Sequence, residues 1–161
     1  MGLNFFRKSS DDKKLRAVVG GEVIPITAVA DSVFSGKVLG DGVAFVPNGN
    51  RVVAPAEATV IVASAAMPHA VSLHLNNGTE VLIHIGVNTV EMNGEGFTLK
   101  VKQGQKVRTG QTLVKFDPNA IQSAGYDSTV MLIVTESDSI PGLKLYSGMR
   151  AVAGKTVVAE L

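Results

Sequence analysis

The stretch that decides the fold reads HAVSLHLNNGTEVLIHIG over residues 69–86 and contains all three histidines of the chain. Two runs rich in Val, Leu and Ile flank the dipeptide Asn77-Gly78, which suits a tight type I′ turn between antiparallel strands. The segment is therefore predicted to form a β-hairpin with a two-residue turn.

This hairpin is predicted to bring two of the histidines together. A two-residue turn pairs Val71 with His84. Because successive side chains of a strand point to opposite faces, His69 and His84 then share one face, while His74 lies on the other. His69 becomes a diagonal neighbour of His84, about 7 to 8 Å away between backbone positions. A three-residue loop would shift the register by one and place the two histidines on opposite faces.

The rest of the chain has the pattern of short apolar runs and turns that is typical of an all-β domain. Short Val, Ile and Leu runs alternate with glycine-containing turns such as Gly40-Asp41-Gly42. One segment is typical of a helix, because Asp117 can cap it, Pro118 suits its first position and Gly125 can end it. We predict an antiparallel β-sandwich or barrel with one or two short helical turns.

Two segments, residues 53–60 and residues 101–113, look like the two halves of the motif found in biotinyl and lipoyl carrier domains. The fold is therefore expected to be of the duplicated hybrid type, with glycines in its tight turns. A carrier lysine would need a Met-Lys-Met or Asp-Lys-Ala tripeptide at a hairpin tip, and neither occurs. No attached cofactor is predicted.

Composition restricts the class of protein. A length of 161 residues with 45% hydrophobic residues fits one domain, and a net charge of +1 argues against a nucleic-acid partner. The absence of cysteine excludes disulfides and thiolate chemistry. No run of about 20 apolar residues and no signal peptide is present, so we expect a cytoplasmic protein.

The chain divides into two parts by composition. Residues 1–16 pass from a few apolar residues into a charged run, which is typical of a flexible amphipathic tail. Such a tail can make weak contact with an anionic membrane. Residues 17–161 are assigned to the folded domain.

Paired histidines suit phosphoryl chemistry. A neutral imidazole is a good nucleophile for phosphorus, and its usual pKa near 6.5 leaves most of it uncharged at neutral pH. A second imidazole can donate a hydrogen bond to the phosphoryl oxygens, where charge stabilisation assists transfer. His84 and His69 are thus the candidate catalytic residues, and His74 is expected to be a surface or structural residue.

The stretch GTEVLIHIGVNTV, residues 78–90, resembles the active-site signature of the glucose-type enzyme IIA family of the bacterial sugar phosphotransferase system. Residues 25–44 and 96–127 are similar to other parts of that family. The resemblance implies that His84 is the phosphoacceptor and His69 its partner. It also implies that phosphate comes from the carrier HPr and passes to the IIB domain of a permease for glucose or a related sugar.

The resemblance further implies an apolar, exposed rim on which partner proteins dock. The rim residues that it assigns are Val33, Phe34, Val38, Leu39 and Val90.

Three positions depart from the family pattern. Met67 stands where members often have a threonine that orients the partner histidine, and Asn88 replaces the more usual aspartate. Ala58 occupies a position where glycine is expected, so the local turn is expected to be altered. None of these departures removes a histidine.

Two other functions remain open. Family members also regulate other proteins through the same face, so the chain could be a regulatory binding module without catalysis. A zinc hydrolase on a related fold would need a His-x-His pair and further ligands, and no such pair occurs. No metal site is predicted, since His69 and His84 offer only two ligands and would hold zinc only at a partner interface.

Overall fold

The computed structural model describes residues 13–161. Within that range the strands form one sheet of eight strands and two sheets of three, and every pairing is antiparallel. This confirms the predicted all-β antiparallel fold. The strands are β1 Lys14–Arg16, β2 Gly21–Pro25, β3 Asp41–Pro47, β4 Arg51–Val53, β5 Ala58–Val62, β6 Ala70–Leu75, β7 Glu80–Val87, β8 Phe97–Leu99, β9 Lys106–Val107, β10 Thr112–Phe116, β11 Asp127–Val134, β12 Lys144–Leu145, β13 Arg150–Ala151 and β14 Val157–Glu160.

The helices within the described range are short. They are α1 Ser32–Ser35, α2 Pro118–Ser123 and the 3-10 helices Ile26–Ala28, Thr89–Met92 and Ser137–Ser139. The predicted helix is α2, and the carboxylate of Asp117 caps it by accepting from the backbone N–H groups of Asn119 and Ala120. The sequence analysis does not predict α1, because a helix of four residues is too short to show a 3.6-residue periodicity.

The two half-repeat segments pair with each other. Strand β4 pairs with β10, and β5 pairs with β9. The backbone N–H of Ala54 donates to the carbonyl of Gln111, and that of Gly104 donates to the carbonyl of Val60. Ala58 does not alter a turn, contrary to expectation. It begins β5, where its φ is not positive, so an alanine is accommodated without strain.

The predicted hairpin forms, but in a different register. Ala70 pairs with His84 and Leu73 with Val81, so the loop has three residues instead of two. In this loop Gly78 donates its N–H to the carbonyl of Leu75 and takes a φ of +92°. Asn77 has no positive φ, which a type I′ turn would require. The loop is thus a type I turn followed by a left-handed glycine, the usual three-residue solution.

The corrected register changes which side chains face the main core. Val71, Leu73, Val81 and Ile83 are buried in that core, which lies between the sheets. His84 belongs to the opposite face of the large sheet. There a second, smaller cluster packs beneath α1 and the preceding 3-10 helix: Ile26, Val29, Phe34, Ala44, Val87, Met131 and Ile133.

The folded part begins earlier than predicted. Lys14–Arg16, which the sequence analysis assigns to the tail, forms β1 and pairs with β14. Leu15 is fully buried in the main core, and this apolar side chain explains why the strand is ordered despite its charged neighbours. The remainder of the predicted tail, residues 1–12, lies outside the described residues.

No helix within residues 13–161 is long and apolar enough to cross a membrane.

Candidate active site

The ring of His84 has a defined tautomer. Its Nδ1 lies 2.8 Å from the carbonyl oxygen of Gly86. Because a carbonyl oxygen can only accept a hydrogen bond, Nδ1 carries the proton and donates it, and Nε2 keeps a free lone pair. Gly86 can offer its carbonyl in this way because it takes a φ of +79°, a conformation that favours glycine.

His69 lies in the turn before β6 rather than in the strand itself. Its carbonyl accepts a 2.7 Å hydrogen bond from the N–H of Ile85, while its ring centroid is 5.1 Å from that of His84 at an interplanar angle of 73°. The prediction that a three-residue loop would separate the histidines is therefore wrong, because His69 does not belong to the strand. A residue outside the strand is not bound to the alternation of the pleat, so its side chain reaches the face of His84.

Two phenylalanines enclose the histidines. The ring of Phe34, on α1, is 5.0 Å from that of His84, and the ring of Phe97, on β8, is 6.5 Å from that of His69. The sequence analysis assigns no role to Phe97, since it is distant from both histidines in sequence and belongs to a different sheet. The aromatic contacts leave the two imidazoles edge to face in a largely apolar setting.

This setting keeps both histidines neutral. The pKa of His84 is lowered from 6.5 to about 4, first by burial and then by the neighbouring His69, while the Gly86 hydrogen bond and the Asp31 carboxylate act in the opposite direction. Burial also lowers the pKa of His69. At neutral pH the site therefore presents an uncharged nucleophilic nitrogen on His84 beside a second uncharged imidazole.

Four of the five predicted rim residues are exposed, namely Val33, Val38, Leu39 and Val90. Phe34 is the exception. It is only 6% exposed and packs in the second cluster as well as against His84, so its assignment as an exposed docking residue is wrong. The α1 helix turns the ring of Phe34 inward and leaves the side chain of its neighbour Val33 exposed.

His74 is predicted to lie on the opposite face from His84, but the register shift moves His84 to the face opposite Val71 and Leu73, which is the face of His74. In the corrected register it shares the pleat face of His84, but it lies at the far end of β6, half exposed. Its Nδ1 is 3.8 Å from the carboxylate of Glu80. It takes no part in the arrangement of the other two histidines.

Two of the departures from the family pattern lie at the site. Met67 is half exposed, and within residues 13–161 no hydrogen bond reaches a ring nitrogen of His69. Asn88 takes a φ of +62°, a left-handed conformation that asparagine tolerates better than most residues. In the described part of the chain, no group of three or more His, Asp or Glu side chains is placed to hold a metal ion.

Comparison with known proteins assigns the chain to a family. Residues 13–140 match the model of the family described as phosphoenolpyruvate-dependent sugar phosphotransferase system, EIIA 1. The chain belongs to this family. The EIIA 1 match spans both histidines and all five predicted rim residues.

Similar proteins include free-standing and fused forms of EIIA 1. The chain is 36% identical to a glucose-specific EIIA component of Bacillus cereus, covering 94% of this chain and 92% of the relative. It is 39% identical to a glucose-specific EIIBCA component of Corynebacterium glutamicum, covering 86% of this chain but only 20% of that longer protein. The solved structure of the glucose permease IIA of Mycoplasma capricolum matches with a TM-score of 0.77 and 31% identity, covering 91% of this chain and 93% of that one.

Proposed function

We propose that this chain is a phosphoryl carrier of the sugar phosphotransferase system and that Nε2 of His84 takes the phosphoryl group. The observation that carries the proposal is the hydrogen bond from Nδ1 of His84 to the carbonyl of Gly86, which leaves Nε2 free. The lowered pKa of His84 supports it, since the ring is neutral and nucleophilic at neutral pH.

The transfer balances without a proton leaving His84. The lone pair of Nε2 attacks the phosphorus of a phosphohistidine on the donor HPr, and a new N–P bond forms as the donor's N–P bond breaks. The electron pair of the broken bond stays on the donor's nitrogen. The proton on Nδ1 remains in its hydrogen bond to Gly86, whose carbonyl dipole stabilises the positive charge that develops on the ring.

His69 is the second catalytic residue of the proposal. Its ring lies edge to face with that of His84, and no hydrogen bond within residues 13–161 engages its nitrogens, so one of them can donate to the phosphoryl oxygens. Such a contact helps most while charge redistributes in the transition state. His84 then passes the phosphoryl group to a IIB domain of a sugar permease in the cytoplasm, a step that requires no recognition of the sugar.

The exposed apolar rim also favours a second role, the binding of regulated proteins. Val33, Val38, Leu39 and Val90 would serve both roles. Covalent uptake of phosphate distinguishes the carrier from a purely regulatory module.

The test is incubation with phosphoenolpyruvate, enzyme I and HPr, followed by intact mass measurement and peptide mapping. The wild type should gain one acid-labile phosphate on His84, and His84→Ala should gain none. His69→Gln keeps an amide donor but cannot share a proton, so it should still take up phosphate on His84. His69→Ala removes the donor and should take up phosphate roughly a hundredfold to a thousandfold more slowly, the usual loss for one such donor. His74→Gln is the matched control and should behave as wild type. Phosphate on His69 or His74, or labelling of His84→Ala, would show the assignment to be wrong.

A further inference from the structure

The ladder between β7 and β11 is interrupted next to His84. Ile85 pairs with Val130, but Val87 pairs with Asp127, so two residues of β11 lie opposite Gly86 alone. This is the arrangement of a β-bulge, which disrupts the ladder locally and re-aims nearby groups. Backbone polar groups at such a point need partners other than the neighbouring strand.

Thr89 holds the backbone beside this bulge. Its hydroxyl donates to the carbonyl oxygen of Ile85, four residues earlier, and its side chain is only 1% exposed. Its methyl group lies directly against Gly86, since a Cβ added at Gly86 would come within 2.4 Å of the Thr89 Cγ2 atom. Thr89 therefore holds the Ile85–Gly86 backbone with both its hydroxyl and its methyl group.

Both histidines are hydrogen-bonded to the Ile85–Gly86 backbone. The N–H of Ile85 donates to the carbonyl of His69, and the carbonyl of Gly86 accepts the Nδ1 proton of His84. The direction of the Gly86 carbonyl follows from the φ and ψ of Gly86 and from the peptide plane before it. The hydroxyl of Thr89 fixes that plane through its bond to Ile85.

We propose that Thr89 is a positioning residue, which through the Ile85–Gly86 backbone holds His84 in the tautomer with its proton on Nδ1. The inference rests on the proposed function for its effect on phosphoryl transfer, but the tautomer itself is a property of the free protein. Thr89 acts on His84 only through the backbone. Without its hydroxyl, the Ile85 carbonyl is left buried without that donor, and the Gly86 carbonyl is free to turn away.

Two substitutions separate the hydroxyl from the shape of the side chain. Thr89→Val keeps the branched shape and removes the donor, whereas Thr89→Ser keeps the donor and removes the methyl group. The ¹⁵N chemical shifts of the His84 ring report which nitrogen carries the proton. We expect Thr89→Val to shift a measurable fraction of His84 to the Nε2–H tautomer and to slow phosphate uptake from HPr roughly tenfold. Thr89→Ser should keep the wild-type tautomer and most of the rate.

A control for general destabilisation is Leu15→Ala, which removes a fully buried side chain from β1 in a different sheet. It should lower the thermal midpoint but leave the His84 tautomer unchanged. An unchanged His84 tautomer in Thr89→Val would overturn the inference, as would an equal change in Leu15→Ala. If Thr89→Val does not fold, Thr89→Ala takes its place, because it also removes the hydroxyl. A loss of the Nδ1–H tautomer in this variant supports the inference, and an unchanged tautomer contradicts it. Failure of the wild type to take up phosphate would instead overturn the proposed function, and the tautomer measurement would still stand.

Discussion

At the scale of single residues, the neighbours of His84 set the charge state of its ring. Phe34 and the rest of the second cluster remove water from the ring, and His69 disfavours a positive charge beside it. The carboxylate of Asp31 and the carbonyl of Gly86 oppose these effects but do not reverse them. Burial is therefore the dominant cause of the low pKa, and it keeps the His84 ring neutral.

This lowered pKa predicts a pH dependence of stability. In the unfolded chain His84 titrates near 6.5, whereas in the folded chain its pKa is about 4. Between these values the unfolded state binds more protons, so the free energy of unfolding rises with pH across that window and falls as the solution is acidified. The loss on going from pH 6.5 to pH 4 should be about 3 kcal/mol, at 1.36 kcal/mol per pKa unit.

Urea denaturation of the wild type and of His84→Gln between pH 4 and pH 7.5 measures this effect. The glutamine cannot titrate, so the difference in unfolding free energy between the two proteins should move against the wild type as the pH falls. His69 titrates in the same direction in both proteins, so the difference between them reports His84 together with its repulsion from His69. A difference that stays constant with pH would contradict the low pKa of His84.

At the scale of elements, α1 forms a cover over His84. Asp31 caps this helix by accepting from the N–H of Val33, and the helix directs Phe34 onto the outer face of the large sheet. The same four-residue helix thus presents an exposed valine to solvent and a buried phenylalanine to the histidine.

The effect of this cover can be measured with Phe34→Ala. Removing the ring exposes His84 to water, so the pKa of His84 should rise from about 4 towards 6.5. Stability should fall by about 3 to 5 kcal/mol, because a buried aromatic ring is lost. An NMR titration of the histidine ring signals gives the pKa, and thermal unfolding gives the stability.

Val33→Ala is the matched control for this substitution, since it shortens the exposed neighbour on the same helix. It should leave both the pKa of His84 and the thermal midpoint close to those of the wild type. If folded Phe34→Ala retains a pKa near 4, then Phe34 is not what desolvates His84.

At the scale of the whole molecule, the two faces of the large sheet carry different sets of side chains. One face contributes to the main core, and the other carries the second cluster, His84 and the segment that bears Val33, Val38 and Leu39. His84 therefore has the main core behind its sheet and shares its own face with a segment that carries exposed apolar side chains. This arrangement suits a residue that must be reached by another protein.

Val38→Asp tests whether this surface docks the phosphoryl donor. Val38 is 71% exposed, so the substitution should leave the thermal midpoint almost unchanged. A charge placed in an apolar contact should weaken docking, and the KM for phosphorylated HPr should rise roughly tenfold. Steady-state phosphate uptake at varied HPr concentration gives this value.

The control is Val152→Asp, which adds the same charge at an exposed valine. Val152 directly follows β13, the edge strand of the large sheet. This variant should keep the wild-type KM. Equal values for wild type and Val38→Asp would remove Val38 from the docking surface.

Local patterns were sufficient to determine several features of this molecule. The alternation of apolar runs with glycine turns predicted an all-β fold, and the capping residue Asp117 with Pro118 predicted α2. These signals depend on the preferences of neighbouring residues for particular backbone angles, so they can be read along the chain. The choice of His69 and His84 as candidates also came from local sequence.

Other features depended on contacts between distant parts of the chain. The three-residue loop was preferred to the two-residue turn because it directs Val71, Leu73, Val81 and Ile83 into the main core, and burial of that face outweighs the turn preference of one dipeptide. The inward position of Phe34 and the low pKa of His84 arise from packing across the large sheet. Desolvation depends on every atom around a group, and these atoms come together only when the sheet closes over them.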